Sequence, residues 1–204
     1  AAPLVRLRAQ AMQDAVPVGA GAMAAILGME AAKVIEVCAA SSAASGEVAE
    51  AVNFNDPSQT VIAGSKAAVE RACEALKAAG AKRALPLPVS APFHSSLMKP
   101  AADKLRERLE SLDFGTPRIP LVNNIDVTVE VDADRMRDAL YRQAFGPVRW
   151  VECVGALKAR GIGHVIECGP GKVLSGLVKR IDAELNGAAL FDPATLLAVK
   201  EVLA

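Results

Sequence analysis

The chain has 204 residues, 52% hydrophobic and 23% charged, which excludes a disordered segment and leaves room for one substantial core, or a core with a smaller inserted lobe. Lys plus Arg balance Asp plus Glu at 23 each, so no net field draws the chain to nucleic acid, and no apolar run is long enough to span a bilayer. Its four cysteines, Cys38, Cys73, Cys153 and Cys168, form no Cys-x-x-Cys pair, and with only His94 and His164 beside them zinc-type spacing is absent. Cys38 and Cys73 fall within amphipathic helical patterns, where a reduced thiol acts as a small apolar group. The expectation is therefore a chain of the reducing cytoplasm, with no metal, cofactor, nucleic acid or membrane among its partners.

In chain order, residues 1–12 read as helix, with no starting Met and no capping residue, as though the chain begins inside an element. Residues 21–27, GAMAAIL, form a short apolar strand ending at Gly28. Val34, Ile35, Val37 and Cys38 then recur at helical spacing over 30–40, and SSAASG at 41–46 reads as a loop. Strands over 48–54 and 59–63 flank the turn signal Asn55-Asp56-Pro57-Ser58 and make a hairpin. A helix opens at Gly64-Ser65, carries Val69, Ala72, Cys73 and Leu76 on one face, and stops at Gly80. A strand over 82–89 holds two prolines, which suit an edge. The order over 21–89 is thus β-α-β-β-α-β, the ferredoxin-like split βαβ pattern.

From residue 95 the rhythm changes. The patterns predict a helix over 97–112, a strand at 119–125 (IPLVNNI), helices over 133–145 and 148–160, and a strand over 164–169. A Gly169-Pro170-Gly171 break leads into the helix KVLSGLVKRI, and Asp192 caps a final helix that has Pro193 at its first position. Alternating strand and helix points to part of a parallel α/β sheet. We therefore expect residues 1–18 and 91–204 to form a partial α/β body, with residues 19–90 as the inserted lobe. The body has too few strands to close a core alone.

Candidate chemistry is sparse. His94, in Ser90-Ala91-Pro92-Phe93-His94-Ser95-Ser96, falls at the joint between the lobes, where active sites often lie. Its position alone favours a structural role, such as a helix cap, because a lone histidine is a weak signal. Arg6 and Arg8 are two apart on a helix, so one can point inward, where a buried guanidinium requires an anion, although the pattern alone favours two ordinary solvated charges. Asn55 is by type a turn former. Gly169-Pro170-Gly171-Lys172 could present amides to a phosphate or could be a tight turn, and it lacks Walker spacing. No Gly-x-Ser-x-Gly occurs in the chain.

Five stretches taken together, RAQAMQDAVPVGAGAMAAILGM, VNFNDPSQTVIAG, GAKRALPLPVSAPFHSSLMKPAADKL, PLVNNIDV and ECGPGKVLSGLVKRI, resemble the bacterial malonyl-CoA:acyl-carrier-protein transacylases along the whole chain. The resemblance implies an α/β fold, part of an α/β-hydrolase-like large subdomain with an inserted ferredoxin-like small subdomain. It implies transfer of malonyl from malonyl-CoA to acyl carrier protein in fatty-acid synthesis, through an ester on a serine in a Gly-His-Ser-Leu-Gly type elbow. That elbow, and a glutamine of the oxyanion hole, are expected upstream of residue 1, so the chain alone is expected to be a carboxyl-terminal fragment without turnover.

By the same resemblance His94 is the base that activates the serine, and the main-chain carbonyl of Gln143 orients it. Arg8 pairs with the malonyl carboxylate, and Asn55 stands near the substrate pocket. Phe93 before the histidine accompanies malonyl preference, where Ser often accompanies methylmalonyl. An acidic carrier protein calls for a basic rim, for which Lys172, Lys179 and Arg180 are candidates. The expected state is a monomer. The competing expectations are a fragment of a polyketide-synthase acyltransferase domain, and a non-catalytic piece that binds CoA or carrier protein.

Overall fold

A computed structural model gives the structure of residues 1–203, in two compact units, Ala1–Trp150 and Val151–Ala204. In the first unit α1 (Ala2–Asp14) precedes β1 (Gly21–Leu27), α2 (Ala31–Ser45), β2 (Ala49–Asp56), β3 (Gln59–Ser65), α3 (Lys66–Ala78) and β4 (Arg83–Pro86). The four strands form one antiparallel sheet in the order β2-β3-β1-β4. This is the strand order that the βαββαβ pattern requires, because each helix carries the chain across one intervening strand. The apolar faces of α2 and α3, through Val34, Cys38, Val69, Ala72, Cys73 and Leu76, close over Ala24, Ile26 and Ile62 of the sheet. Burial pushes the Cys38 thiol up to about 12, so it serves as a packing group.

The backbones of β3 and of the entry to β2 come close together at Gly64. A Cβ there would lie 1.9 Å from the carbonyl oxygen of Val48 on the entry to β2, so only glycine lets the two backbones meet. Two bulges in β2, between Ala51 and Asn53 and between Phe54 and Asp56, break its register with β3. As the edge strand of the sheet, β2 keeps its outer backbone groups free for another segment.

A short 3₁₀ turn, Ser96–Met98, leads into α4 (Lys99–Glu110), and α5 (Ala133–Gln143) follows a long connection. The side chain of Asp132 caps α5 by accepting from the Arg135 amide at 2.9 Å. Leu105 and Leu109 of α4 pack with Tyr141 of α5 and Ala144 just beyond it, while Ala11 and Met12 of α1 pack with Ala91, Met98 and Ala101.

In the second unit α6 (Trp150–Lys158) leads into a parallel pair, β5 (His164–Cys168) and β6 (Asn186–Leu190), joined through α7 (Val173–Ile181) and followed by α8 (Pro193–Leu203). Lys158 ties the end of α6 to Asp182 at 2.5 Å and Glu184 at 2.6 Å. No helix among the described residues is long and apolar enough to cross a membrane.

The structure corrects several expected elements. Residues 119–125 form no strand: their only ladder contact is an isolated bridge between Val122 and Val129, Ile119 is 80% exposed, and Asn123 organises a turn by accepting from the Ile125 and Asp126 amides. An apolar, β-branched run becomes a strand only where a neighbour receives its hydrogen bonds. The expected loop 41–46 is the last turn of α2, closed by Gly46 at φ 69. There the Ser42 hydroxyl bonds both the amide and the carbonyl of Ala49. The strand expected over 82–89 shortens to Arg83–Pro86, and β6 had no counterpart in the sequence reading because NGAAL is small and lacks alternation.

The close approach at Gly64 gives a first prediction. Gly64→Ala should cost about 1–3 kcal/mol by forcing the entry of β2 away from β3. Urea unfolding of the two chains measures it, and an unchanged midpoint would show that the backbone has room to shift.

Candidate active site

His94 sits in a turn between β4 and the 3₁₀ segment, with φ 65, a left-handed backbone that few non-glycine residues adopt. Such strain persists only where the surroundings over-determine it. Here Ser95, fully buried, donates its hydroxyl to the Pro92 carbonyl at 2.6 Å, and the Ser96 amide donates to Glu50 of β2 at 2.7 Å. Pro92 itself lies against Gly21, where a Cβ would come within 2.3 Å of its ring. Beyond α5 the chain runs back to β2: the Phe54 amide donates to the Val148 carbonyl at 2.9 Å, and the Val148 amide to Val52 at 2.8 Å. The bulged β2 therefore holds both the histidine turn and the segment after Gln143.

The two meet directly. His94 Nδ1 lies 3.2 Å from the main-chain carbonyl of Gln143. A carbonyl only accepts, so this contact places the proton on Nδ1 and leaves Nε2 with its lone pair, the form a general base needs. Arg8 of α1 donates from Nη2 to the Gln143 side-chain oxygen at 2.6 Å. Burial lowers the His94 pKa. The Gln143 carbonyl bond opposes that shift, and the Arg8 charge adds to it. Burial also lowers the Arg8 pKa, leaving a partly desolvated guanidinium that still carries its charge.

Arg8, Asn55, Phe93 and His94 line one cavity of about 540 Å³, together with Asn53 and Gln13. A second cavity, of about 670 Å³, reaches His94 from the side of Phe54, Phe145 and Arg149. All five residues singled out in the sequence thus converge, four on the cavity wall and Gln143 behind two of them. Arg6 is exposed while Arg8 is half-buried, the two facing different ways on the helix. Asn53, which like Asn55 reads by type as a turn former, joins it on the wall two residues earlier in the same strand. The Gln143 side chain was missed, and nothing in the sequence announces its contact with a residue 135 positions away.

The Gly-Pro-Gly-Lys joint carries no open anion site. Glu167 of β5 accepts from the Ser175 amide at 2.8 Å, so the first turn of α7 already holds a carboxylate of its own chain. Lys172, Lys179 and Arg180 are exposed on and beside α7.

The lowered pKa of His94 has a signed consequence. The unfolded chain takes up the proton first, so stability should fall as pH drops through and below the ordinary histidine range. The two Cε1 protons of the chain should resolve by NMR. Arg8→Ala should move the His94 titration upward, and an unmoved curve would mean that the two charges do not sense each other.

Residues 1–188 match the model of the acyl transferase domain. Malonyl CoA-acyl carrier protein transacylase of Escherichia coli strain K12 is 53% identical over 199 residues, 98% of this chain and 64% of that protein. The crystal structure of an acyl-carrier-protein S-malonyltransferase from Burkholderia pseudomallei 1710b is 64% identical with a TM-score of 0.94, covering 98% of this chain and 64% of that one. A malonyl-transacylase solved in complex with its type II PKS acyl-carrier protein is 51% identical with a TM-score of 0.95, over 98% and 64% of the two chains. The chain therefore spans about 64% of the length of these relatives. It belongs to the acyl transferase domain family, among relatives named for malonyl transfer to acyl carrier protein.

Proposed function

We propose that these residues are the base-and-anion half of a malonyl-CoA:acyl-carrier-protein transacylase site of fatty-acid synthesis. The observation that carries the proposal is the cluster in which one residue, Gln143, touches both a neutral imidazole and a half-buried guanidinium on the wall of one cavity. The rest of the reading follows the family: residues 19–90 as a ferredoxin-like small subdomain inserted in an α/β-hydrolase-like body, a cytoplasmic setting, a monomer, and Lys172, Lys179 and Arg180 as part of a basic rim for the acidic carrier protein. The relative solved with its type II PKS acyl-carrier protein supports a carrier-protein partner and leaves polyketide synthesis as the second reading.

The chemistry asks for a serine hydroxyl, and no Gly-x-Ser-x-Gly elbow occurs among the 204 residues, so we assign the nucleophile to an elbow of the family type outside them. His94 Nε2 takes the hydroxyl proton as oxygen attacks the thioester carbonyl, and returns it to the departing CoA thiolate. The Gln143 carbonyl holds Nδ1–H through both steps, the orienting role of the triad aspartate without a second negative charge. The acyl-enzyme is then attacked by the carrier-protein thiol, with His94 working in the reverse sense. Arg8 receives the malonyl carboxylate in a planar two-bond grip that lysine cannot copy. Phe93 crowds the α-carbon, and Asn55 supplies a polar wall.

Four outcomes test this. Incubated with malonyl-CoA, the 204-residue chain should show no malonyl-serine by mass spectrometry, and a stoichiometric adduct would overturn the assignment of the nucleophile. Joined to a family serine elbow, His94→Ala should lower acylation roughly 10²–10⁴-fold. Arg8→Ala should depress malonyl transfer while leaving acetyl transfer level, and Phe93→Ser should admit methylmalonyl. Equal loss for malonyl-, methylmalonyl- and acetyl-CoA in Arg8→Ala would make the arginine structural.

A further inference from the structure

A half-buried guanidinium in a cavity needs a partner even when no substrate is bound, because a desolvated cation without an acceptor is costly. In this structure the partner is the Gln143 side chain. Its Oε1 accepts from Arg8 Nη2 at 2.6 Å, shorter than an ordinary neutral N–H···O contact, as a charged donor allows. The amide orientation follows from the chemistry: the oxygen faces the cation, and Nε2 is turned toward His94 Nδ1 at 3.5 Å. Since Nδ1 already donates to the Gln143 main-chain carbonyl, the amide nitrogen adds no strong bond there. Arg8 is therefore the strong partner of the side chain, and the 3.5 Å approach to His94 is the weak one.

An amide oxygen resembles one carboxylate oxygen in size and acceptor geometry but carries no net charge. A substrate carboxylate offers two charged acceptors to the same fork, so it should win Arg8 from the amide, whereas an uncharged acyl group should not. We propose that the Gln143 side chain is a built-in placeholder for the substrate carboxylate: it occupies Arg8 in the free protein, yields it to a carboxylate-bearing acyl group, and keeps it when the acyl group has none. This rests on the reading of Arg8 as the carboxylate grip and adds a specificity-determining role to the side chain of a residue whose carbonyl positions His94. The neutral amide is the consequential choice. A carboxylate at residue 143 would hold the guanidinium against the substrate, and an apolar residue would leave it bare.

The probe is monomethyl malonate, which has one carboxylate and an ester in place of the thioester, with dimethyl malonate as the uncharged control. Binding to the 204-residue chain is followed by the His94 Cε1 proton. The wild type should bind the monoanion and not the diester, and Arg8→Ala should abolish the difference. Gln143→Ala should bind the monoanion about three- to tenfold more tightly, because no internal acceptor has to be displaced. Gln143→Asn, one methylene short of Arg8, should behave like the alanine variant. Gln143→Glu should bind it about tenfold or more weakly, with a strong salt dependence and an upward-shifted His94 titration. Weaker or unchanged binding in Gln143→Ala would overturn the placeholder and make the side chain a co-ligand or a bystander. Wild-type affinity in Gln143→Glu would overturn it even if the alanine variant failed to fold. If Arg8→Ala kept the preference for the monoanion, the carboxylate reading itself would fall and take this inference with it.

Discussion

Everything in the candidate site depends on β2 lying at the edge of its sheet. A central strand would spend its hydrogen bonds on two neighbours. As an edge strand, β2 pairs with β3 on one side and has groups left for Val148 on the other, while Glu50 reaches the amide of Ser96. One strand thus fixes the turn that presents His94 and the segment that follows Gln143, and the 3.2 Å contact between them is the result. The left-handed backbone at His94 is sustained by the same anchors.

A carbonyl acceptor behind the imidazole has different electrostatics from a carboxylate. It selects the tautomer and the ring orientation without adding a negative charge to the cavity. Burial and the nearby Arg8 charge both lower the His94 pKa, and the acceptor that Arg8 meets is the uncharged side-chain oxygen of Gln143. His94 and Arg8 share one cavity wall, and both meet the uncharged Gln143.

The connection between α4 and α5 shows how a polar network can do the work expected of a strand. Arg142 grips Asp126 through two bonds of 2.7 Å, and Arg149 donates to the Ile125 carbonyl at 3.2 Å. These contacts pin the loop around Asn123 to both sides of Gln143. A side chain at Gly146 would meet Ile125 at 2.5 Å, so the loop packs directly on the backbone that carries the site. The run IPLVNNI looked like a strand because its composition is apolar and β-branched, yet its backbone is satisfied by turn contacts.

The sequence by itself determined the βαββαβ order of elements over residues 21–86, since turn residues and the switch between two- and 3.6-residue periodicity are local properties. It also placed the helices of the remainder and, through resemblance, singled out His94, Arg8, Asn55, Phe93 and Gln143. Local pattern could not place Asn55 and Phe93 on one cavity wall, close the 135-residue separation between Arg8 and Gln143, or show that Glu167 fills the amides of the Gly-Pro-Gly joint. Those are contacts between groups far apart in sequence or dependent on a side-chain direction. Periodicity reports which face of an element is apolar and says nothing of what that face or its polar edge will meet. The tertiary structure decided that a glutamine chosen for its carbonyl also spends its amide on the arginine, because only the packed chain brings α1, the His94 turn and the end of α5 within hydrogen-bond reach.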